Sequence, residues 1–373
     1  MKFLIAPSPY KGSFRAGELA AVIGDGIRRA IPQARIRCLP MADGGDGTIE
    51  AIAGVLGGEL ESLTVPGPTG TMVEAAWLCL GKAGAVVELA SASGIAHLDG
   101  ALAPLDASTT GTGYLLADCL DKCSRKDIRN IVLTVGGSAS TDGGTGILQA
   151  LGARFLDRQG RELKGCGRNL EMIETIDLDP LSPLATRCAT DLQIATDVTN
   201  PLLGDLGAAR IFAPQKGADS QDVELLEKGM TNFADRLERI TGRRVRDIEG
   251  AGAAGGVPFG LMAALGARVV RGFSYLDELL GIEAAVAAAD IVVTAEGRLD
   301  SQSLGGKAAG ELAALSRKHQ RPLWVIPASL ETGIDFQAAG ISAVEAASKG
   351  AKRATLSDVE DAAFRLCLRE AGN

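Results

Sequence analysis

One arrangement recurs along the chain: a short apolar run rich in β-branched residues, a glycine-dense loop that carries an acid, then a segment with helical spacing of apolar residues. Residues 2–6 lead through 7–12 into a helix whose Leu19, Val22, Ile23, Ile27 and Ile31 share one face. Residues 35–41 lead into Ala42-Asp43-Gly44-Gly45-Asp46-Gly47-Thr48 and a helix bearing Ile49, Ile52 and Leu56. Residues 131–135 lead into Gly136-Gly137-Ser138-Ala139-Ser140-Thr141-Asp142-Gly143-Gly144, with a helix near 147–151. Residues 192–196 end at Asp197-Val198-Thr199-Asn200-Pro201. Residues 291–294 run into a loop, Ala295-Glu296-Gly297-Arg298-Leu299-Asp300, and a helix follows Lys307. Residues 323–326 are the last clear strand. Such alternation dictates an α/β fold with largely parallel sheets covered on both faces. Ligands of such sheets bind at the carboxyl ends of the strands, where these loops lie.

The pattern breaks twice. Val65-Pro66-Gly67-Pro68-Thr69-Gly70 is turn chemistry, and 72–80 with 85–89 reads as an antiparallel pair. A second shift falls between Gly266 and Gly272. With 373 residues and about 100–200 residues per domain, two domains are expected. They are a discontinuous Rossmann-like α/β domain from 1–64 plus 272–373 and an inserted α/β domain with a mixed sheet, 65–271. The expected active site is the cleft between them.

Composition narrows the ligand. Net charge is -8 without a basic stripe, which argues against nucleic acid and anionic membranes as partners. Aromatic residues are 4%, too few for base-stacking platforms. The best apolar stretch, 284–293, is interrupted by Asp290 and falls short of the ~20 residues of a membrane span. Residues 1–7 hold too short an apolar run for a secretory signal. Seven dispersed cysteines read as buried thiols in a reducing compartment, so the cytoplasm is the expected location. Cys119 and Cys123 share a helix face, but His97 and His319 complete no zinc pattern.

Loops that combine glycines with Asp, Ser or Thr meet two needs of phosphate chemistry. Glycine lets backbone N–H groups cradle an anion, and short carboxylates hold Mg²⁺. Residues 42–48 and 136–144 have both features; tight turns with solvated acids are the alternative reading. Asp197 ends a strand beside hydrogen-bonding neighbours, as a proton acceptor, a metal ligand or a plain capping residue would. Glu296, Arg298 and Asp300 share one loop; Arg298 offers a fork for carboxylate or phosphate, or a surface ion pair. Gly306-Lys307 is no Walker A sequence. Gly250-Ala251-Gly252-Ala253-Ala254-Gly255 matches G-x-G-x-x-G but follows a poor strand, so a close approach to another ligand or to a helix fits it better than a dinucleotide. No G-x-S-x-G elbow is present.

Taken in order, the stretches resemble the bacterial class I glycerate kinases over essentially the whole length. They are Ala6-Pro7 with Lys11-Gly12-Ser13, 41–48, Glu88-Leu89-Ala90-Ser91-Ala92-Ser93-Gly94, Thr109-Thr110-Gly111-Thr112-Gly113 and Gly136-Gly137-Ser138-Ala139. Asp197-Val198-Thr199-Asn200-Pro201-Leu202, Ala213-Pro214-Gln215-Lys216-Gly217-Ala218, 250–256 and Glu296-Gly297-Arg298-Leu299-Asp300-Ser301-Gln302 complete the series. The resemblance implies a two-domain α/β enzyme that phosphorylates glycerate with ATP and Mg²⁺, typically to 2-phosphoglycerate. It implies small-molecule partners, glycerate and ATP, and leaves a homodimer open. On it we expect Asp197 as general base, with Arg298 gripping the glycerate carboxylate or the transferring phosphoryl. Asp43 or Asp46 would place Mg²⁺. Gly44, Gly45, Ser138, Asn200 and Glu296 would bind substrate and phosphate, assisted by Lys11 or Lys307.

The chain also departs from that pattern. Ser8 and Pro9 stand where the family has Asp-Ser, Ser140-Thr141 where it has Thr-Asn, and Ala295 where it has Gly. Ala309 and Glu311 replace Pro and Gly, Val325 and Ala328 replace glycines, and Val344-Glu345 replaces Phe-Ser. A kinase of another small hydroxy acid, or a non-catalytic ligand-binding descendant favoured by Ser8, is the alternative expectation.

Overall fold

The computed structural model describes residues 1–10, 12–42, 44–181, 183, 192–300, 308–331, 335–348 and 353–370. In chain order its strands are β1 (Lys2–Ile5), β2 (Arg35–Cys38), β3 (Glu59–Pro66), β4 (Met72–Cys79), β5 (Ala85–Glu88) and β6 (Ile131–Thr134). They continue as β7 (Arg154–Leu156), β8 (Thr175–Asp177), β9 (Leu192–Ala195), β10 (Arg268–Val270), β11 (Ile291–Leu299), β12 (Leu323–Leu330) and β13 (Ala343–Val344). The chain divides into two compact units. One comprises Met1–Asp43, Glu50–Gly57 and Phe273–Asn373; the other comprises Gly44–Ile49 and Gly58–Gly272.

The first unit is built on a five-stranded sheet, order β13-β12-β11-β1-β2, with every neighbouring pair parallel. Helix Ala16–Ala30 turns Leu19, Ile23 and Ile27 onto it, as the spacing predicts, and all three are buried with Phe3, Ile5, Trp324, Ile326 and Leu366. Its Gly26 is required by packing: a Cβ there would lie 2.3 Å from the Glu360 carbonyl oxygen on helix Leu356–Glu370. One sequence expectation is corrected here. Residues 295–299, read as a loop from their glycine and charges, are the end of β11. The reason is a partner of matching length, since Glu296 pairs with Pro327 and Leu299 with Leu330 on β12.

The second unit carries a six-stranded mixed sheet, order β10-β9-β6-β5-β4-β3. β5, β6, β9 and β10 run parallel, while β4 is antiparallel to β5 and β3 antiparallel to β4. The β4–β5 pair is the one the sequence predicts. β3 and β10 are additions, falling where the sequence shows only breaks in pattern. β7 and β8 form a separate antiparallel ribbon. Trp77 and an edge-to-face chain of rings, Phe155–Phe233–Phe259 with centroids 5.9 and 5.7 Å apart, fill this unit's core.

Among the described residues no helix is long and apolar enough to cross a membrane. Cys79, Cys119, Cys123, Cys166 and Cys367 are buried free thiols, as expected. Cys38 is a correction to that pattern: it is exposed, because β2 lies at the edge of its sheet. Cys188 lies outside the described residues.

Candidate functional site

In the second unit the loops after β5, β6 and β9 leave the same edge of the sheet, because those strands are parallel. The segment 44–48 joins them. Gly136 N donates to the Gly44 carbonyl at 2.9 Å. A Cβ on Gly136 would sit 2.7 Å from the Gly45 Cα, so the two glycine loops touch backbone to backbone. Gly44 itself has φ +76° and lies beside the end of β9, its Cβ position 3.9 Å from the Ala195 carbonyl oxygen. On its other side the 136–140 loop is pinned by Ile95 N to the Gly137 carbonyl at 2.9 Å and Ala139 N to the Ser93 carbonyl at 3.0 Å. The structure thus brings Gly44, Gly45 and Ser138 together at one sheet edge, with Asp46 exposed on the same segment.

Two buried acids hold these loops in shape, and neither was singled out from the sequence as a site residue. Glu88 ends β5 and accepts from Gly47 N at 3.1 Å and Ile49 N at 3.0 Å, which fixes the start of helix Thr48–Leu56. Burial pushes its carboxyl up to about 7, against the opposing effect of those N–H donors. The folded state therefore holds a proton that the unfolded chain releases near 4.5. Glu88 contributes stability in full below about 4.5 and loses it as pH rises through about 7. Thermal melts across that window should show a smaller decline for Glu88→Gln, which keeps an acceptor oxygen, than for the wild type. Equal slopes would contradict this.

Asp142 is fully buried and accepts from Thr109 N and Thr109 Oγ1 at 2.8 Å, Gly144 N at 3.1 Å and Gly146 N at 3.2 Å. It ties the 109–112 segment to the loop after β6. Burial raises its pKa, and the four donors act against that rise.

Lys216 is the other group that sequence reasoning passed over. It is 2% exposed, and its Nζ donates to Ser138 Oγ at 2.8 Å and to the Ser140 carbonyl oxygen. Burial pushes its pKa down to about 7, offset in part by the Asp142 charge. Ser140 Oγ and Thr141 Oγ1, in the same loop, are buried with no hydrogen-bond partner among the described residues.

Asp197 is exposed two residues past β9. Its carboxylate lies over the Cα of Gly272: a Cβ on that glycine would be 2.9 Å from Asp197 Oδ2. Asn200 donates its side-chain amide to the Leu206 carbonyl at 2.8 Å, so this amide closes the 200–206 turn. The 250–256 segment is packed against two of the strand-end loops. Cβ atoms on Gly252 and Gly255 would meet the carbonyl oxygens of Pro201 at 2.1 Å and Ser140 at 2.4 Å. Its glycines are there for contact between backbones.

In the first unit, Glu296 and Arg298 lie on β11. The Arg298 guanidinium is within 3.7 Å of Asp300 and 3.8 Å of Glu331, the ion-pair arrangement that such a cluster allows. Ser8 is buried after β1, and its N–H donates to the Ala295 carbonyl at 2.9 Å. Lys11, Asp43 and Lys307 lie outside the described residues. Among the described residues no group of three or more His, Cys, Asp or Glu could hold a metal ion. Mg²⁺ bound with phosphates needs only one or two carboxylates, its other ligands being phosphate oxygens and water. The exposed Asp46, at the junction of two glycine loops, fits that donor set.

Comparison with known proteins gives a consistent result. The sequence matches the glycerate kinase family over residues 3–366. It is 38% identical over 348 residues to the glycerate 2-kinase of Escherichia coli (strain K12), covering 92% of this chain and 90% of that one. It is 39% identical over 335 residues to the glycerate kinase of Halalkalibacterium halodurans, covering 89% and 86% respectively. A crystal structure assigned as glycerate kinase 2 from Salmonella typhimurium LT2 superposes with a TM-score of 0.83 at 36% identity, covering 100% of this chain and 98% of that one.

Proposed function

This chain belongs to the glycerate kinase family, and we propose that it transfers the γ-phosphoryl group of ATP to a hydroxyl of glycerate, giving 2-phosphoglycerate. The observation that carries this reading is the joining of glycine loops 44–48 and 136–140 beside the end of β9, which Asp197 follows. Loops of this kind present backbone N–H groups to phosphate oxygens without side-chain obstruction.

In this reading catalysis is mostly positioning and charge neutralisation. The glycerate oxygen attacks the γ-phosphorus in line; the new O–P bond forms as the bond to the bridging oxygen breaks and ADP leaves. Asp197 accepts the hydroxyl proton. Ser138 donates to a phosphate oxygen, with Gly44 and Gly45 lining the same edge. Arg298 is assigned to the glycerate carboxylate or the transferring phosphoryl, and Glu296 and Asn200 to positioning. Lys11 and Lys307 are assigned as further phosphate contacts and Asp43 as a second metal carboxylate. Mg²⁺ held by Asp46 would neutralise charge on the phosphates.

The test is ADP release with a panel of small hydroxy acids. Glycerate should be turned over at least about tenfold faster, by kcat/KM, than analogues lacking one hydroxyl, whose loss leaves polar groups of the site unpaired. A better substrate elsewhere in the panel would make this a kinase of another hydroxy acid. Binding without ADP release would make it a ligand sensor.

A further inference from the structure

We infer that Lys216 is a positioning residue that fixes the Ser138 hydroxyl as a hydrogen-bond donor toward the anionic oxygens of the bound substrate. This rests on the phosphate-holding role proposed for Ser138. A lysine amine has N–H groups to give, and Nζ gives one to Ser138 Oγ at 2.8 Å and another to the Ser140 carbonyl. Ser138 therefore accepts from the lysine, and its own proton must go to a different acceptor. None is found for it among the described residues.

The backbone leaves the hydroxyl little freedom. Gly137 has φ +73°, and the neighbouring carbonyl and N–H are bonded to Ile95 and Ser93. An unspent donor on a fixed loop, at the edge where two glycine segments meet, is what an anion site requires.

Burial of the lysine points the same way. A buried ammonium is expensive, and an apolar side chain of similar size would serve a purely structural strut at least as well. Burial also pushes Lys216 down to about 7. Its two donated bonds survive that change, because a neutral amine keeps two N–H groups. The direction of the Ser138 bond is thus the same in either charge state.

The experiment is a double-mutant cycle on the full chain, read as ADP release from ATP and glycerate. Lys216→Met and Ser138→Ala should each lower kcat by about tenfold or more, with smaller changes in KM, as loss of one donor to developing charge does. The double variant should be no slower than S138A alone, because the lysine acts through the serine. Independent, multiplying losses would overturn the proposal, and so would a K216M enzyme with wild-type kcat beside an impaired S138A. An unimpaired S138A would instead remove the serine's phosphate role and the proposal with it.

Lys216→Gln, which keeps an amide donor, should retain more turnover than K216M; a folded K216Q as slow as K216M would count against the inference. Failure of both lysine variants to fold would mark a structural strut and overturn it. If the wild type turns over no glycerate, the functional reading fails, and calorimetric titration with inorganic phosphate decides the lysine separately. Weaker binding in each single variant with no further loss in the double supports the inference; unchanged or additive losses overturn it.

Discussion

Asp197→Asn is expected to lower kcat for glycerate phosphorylation by roughly 10²–10⁴-fold, the usual contribution of a positioned general base. Asparagine matches aspartate in shape and keeps one acceptor oxygen, but it cannot take up the hydroxyl proton. The residue is exposed past the end of β9. The substitution keeps the side chain's volume at an exposed position, so the stability change should stay within about 1 kcal/mol and the thermal midpoint should move by no more than about 4 °C. The discriminating measurement is kcat beside a melting curve. Near-normal turnover in a folded D197N enzyme would remove Asp197 as the base. A loss shared equally between turnover and stability would make it a structural residue.

Gly255→Ala should have the largest effect on stability. Gly255 has φ +70°, where a Cβ is strained, and that Cβ would lie 2.4 Å from the Ser140 carbonyl oxygen and 2.6 Å from the Thr141 Cα. Neither neighbour is the end of a flexible side chain. The segment also holds the loop after β6 directly, since Gly143 N donates to the Gly255 carbonyl at 2.9 Å. Overpacking and left-handed strain together should cost about 3 kcal/mol or more. For a unit of this size that is roughly 6–12 °C of thermal midpoint. Turnover should fall as well, because Ser140 supplies the carbonyl that receives Lys216. Gly54→Ala is the control: it lies in helix Thr48–Leu56 with nothing within 4 Å of its Cβ position, and should be neutral or slightly stabilising. Equal melting of the two variants would show that the 250–256 segment is not the close backbone contact described.

What could be read directly from the chain was set by local physics. β1, β5, β6 and β9 are short apolar runs, and helix Ala16–Ala30 carries its buried face at helical spacing. The elements that escaped depend on partners distant in sequence. β3 is a largely exposed strand whose partner is β4, and its residues carry no apolar alternation strong enough to mark it. The end of β11 looks like a loop until β12 pairs with it through Leu299 and Leu330.

The site divides in the same way. Glycines beside acids are a local signal, and they led to Gly44, Gly45, Asp46 and Ser138; Asp197 was marked instead by its place at a strand end beside Thr199 and Asn200. Lys216 lies in one of the stretches that carry the family resemblance, but nothing local gives it a role. Its burial arises only because the chain returns to Ser138 from 78 residues away. Glu88 and Asp142 stand in stretches that the sequence marks, but their work, receiving N–H groups from other loops, shows only in the fold. Ser8 is buried three residues past β1, where the family resemblance leads one to expect a carboxylate. A hydroxyl there cannot supply charge to a metal or accept a proton as readily, so the carboxylates of the proposed site are Asp197, Asp46 and Asp43.

The central claim is that the glycine loops beside β9 and the acid that follows it make a phosphoryl-transfer site for glycerate. Its most direct test is phosphorus NMR of D-glycerate, ATP and Mg²⁺ incubated with the purified chain. The spectrum should show the resonance of 2-phosphoglycerate growing as the γ-phosphate signal of ATP declines, and growing far more slowly with D197N. A folded wild-type chain that yields no phosphoglycerate resonance would contradict the account.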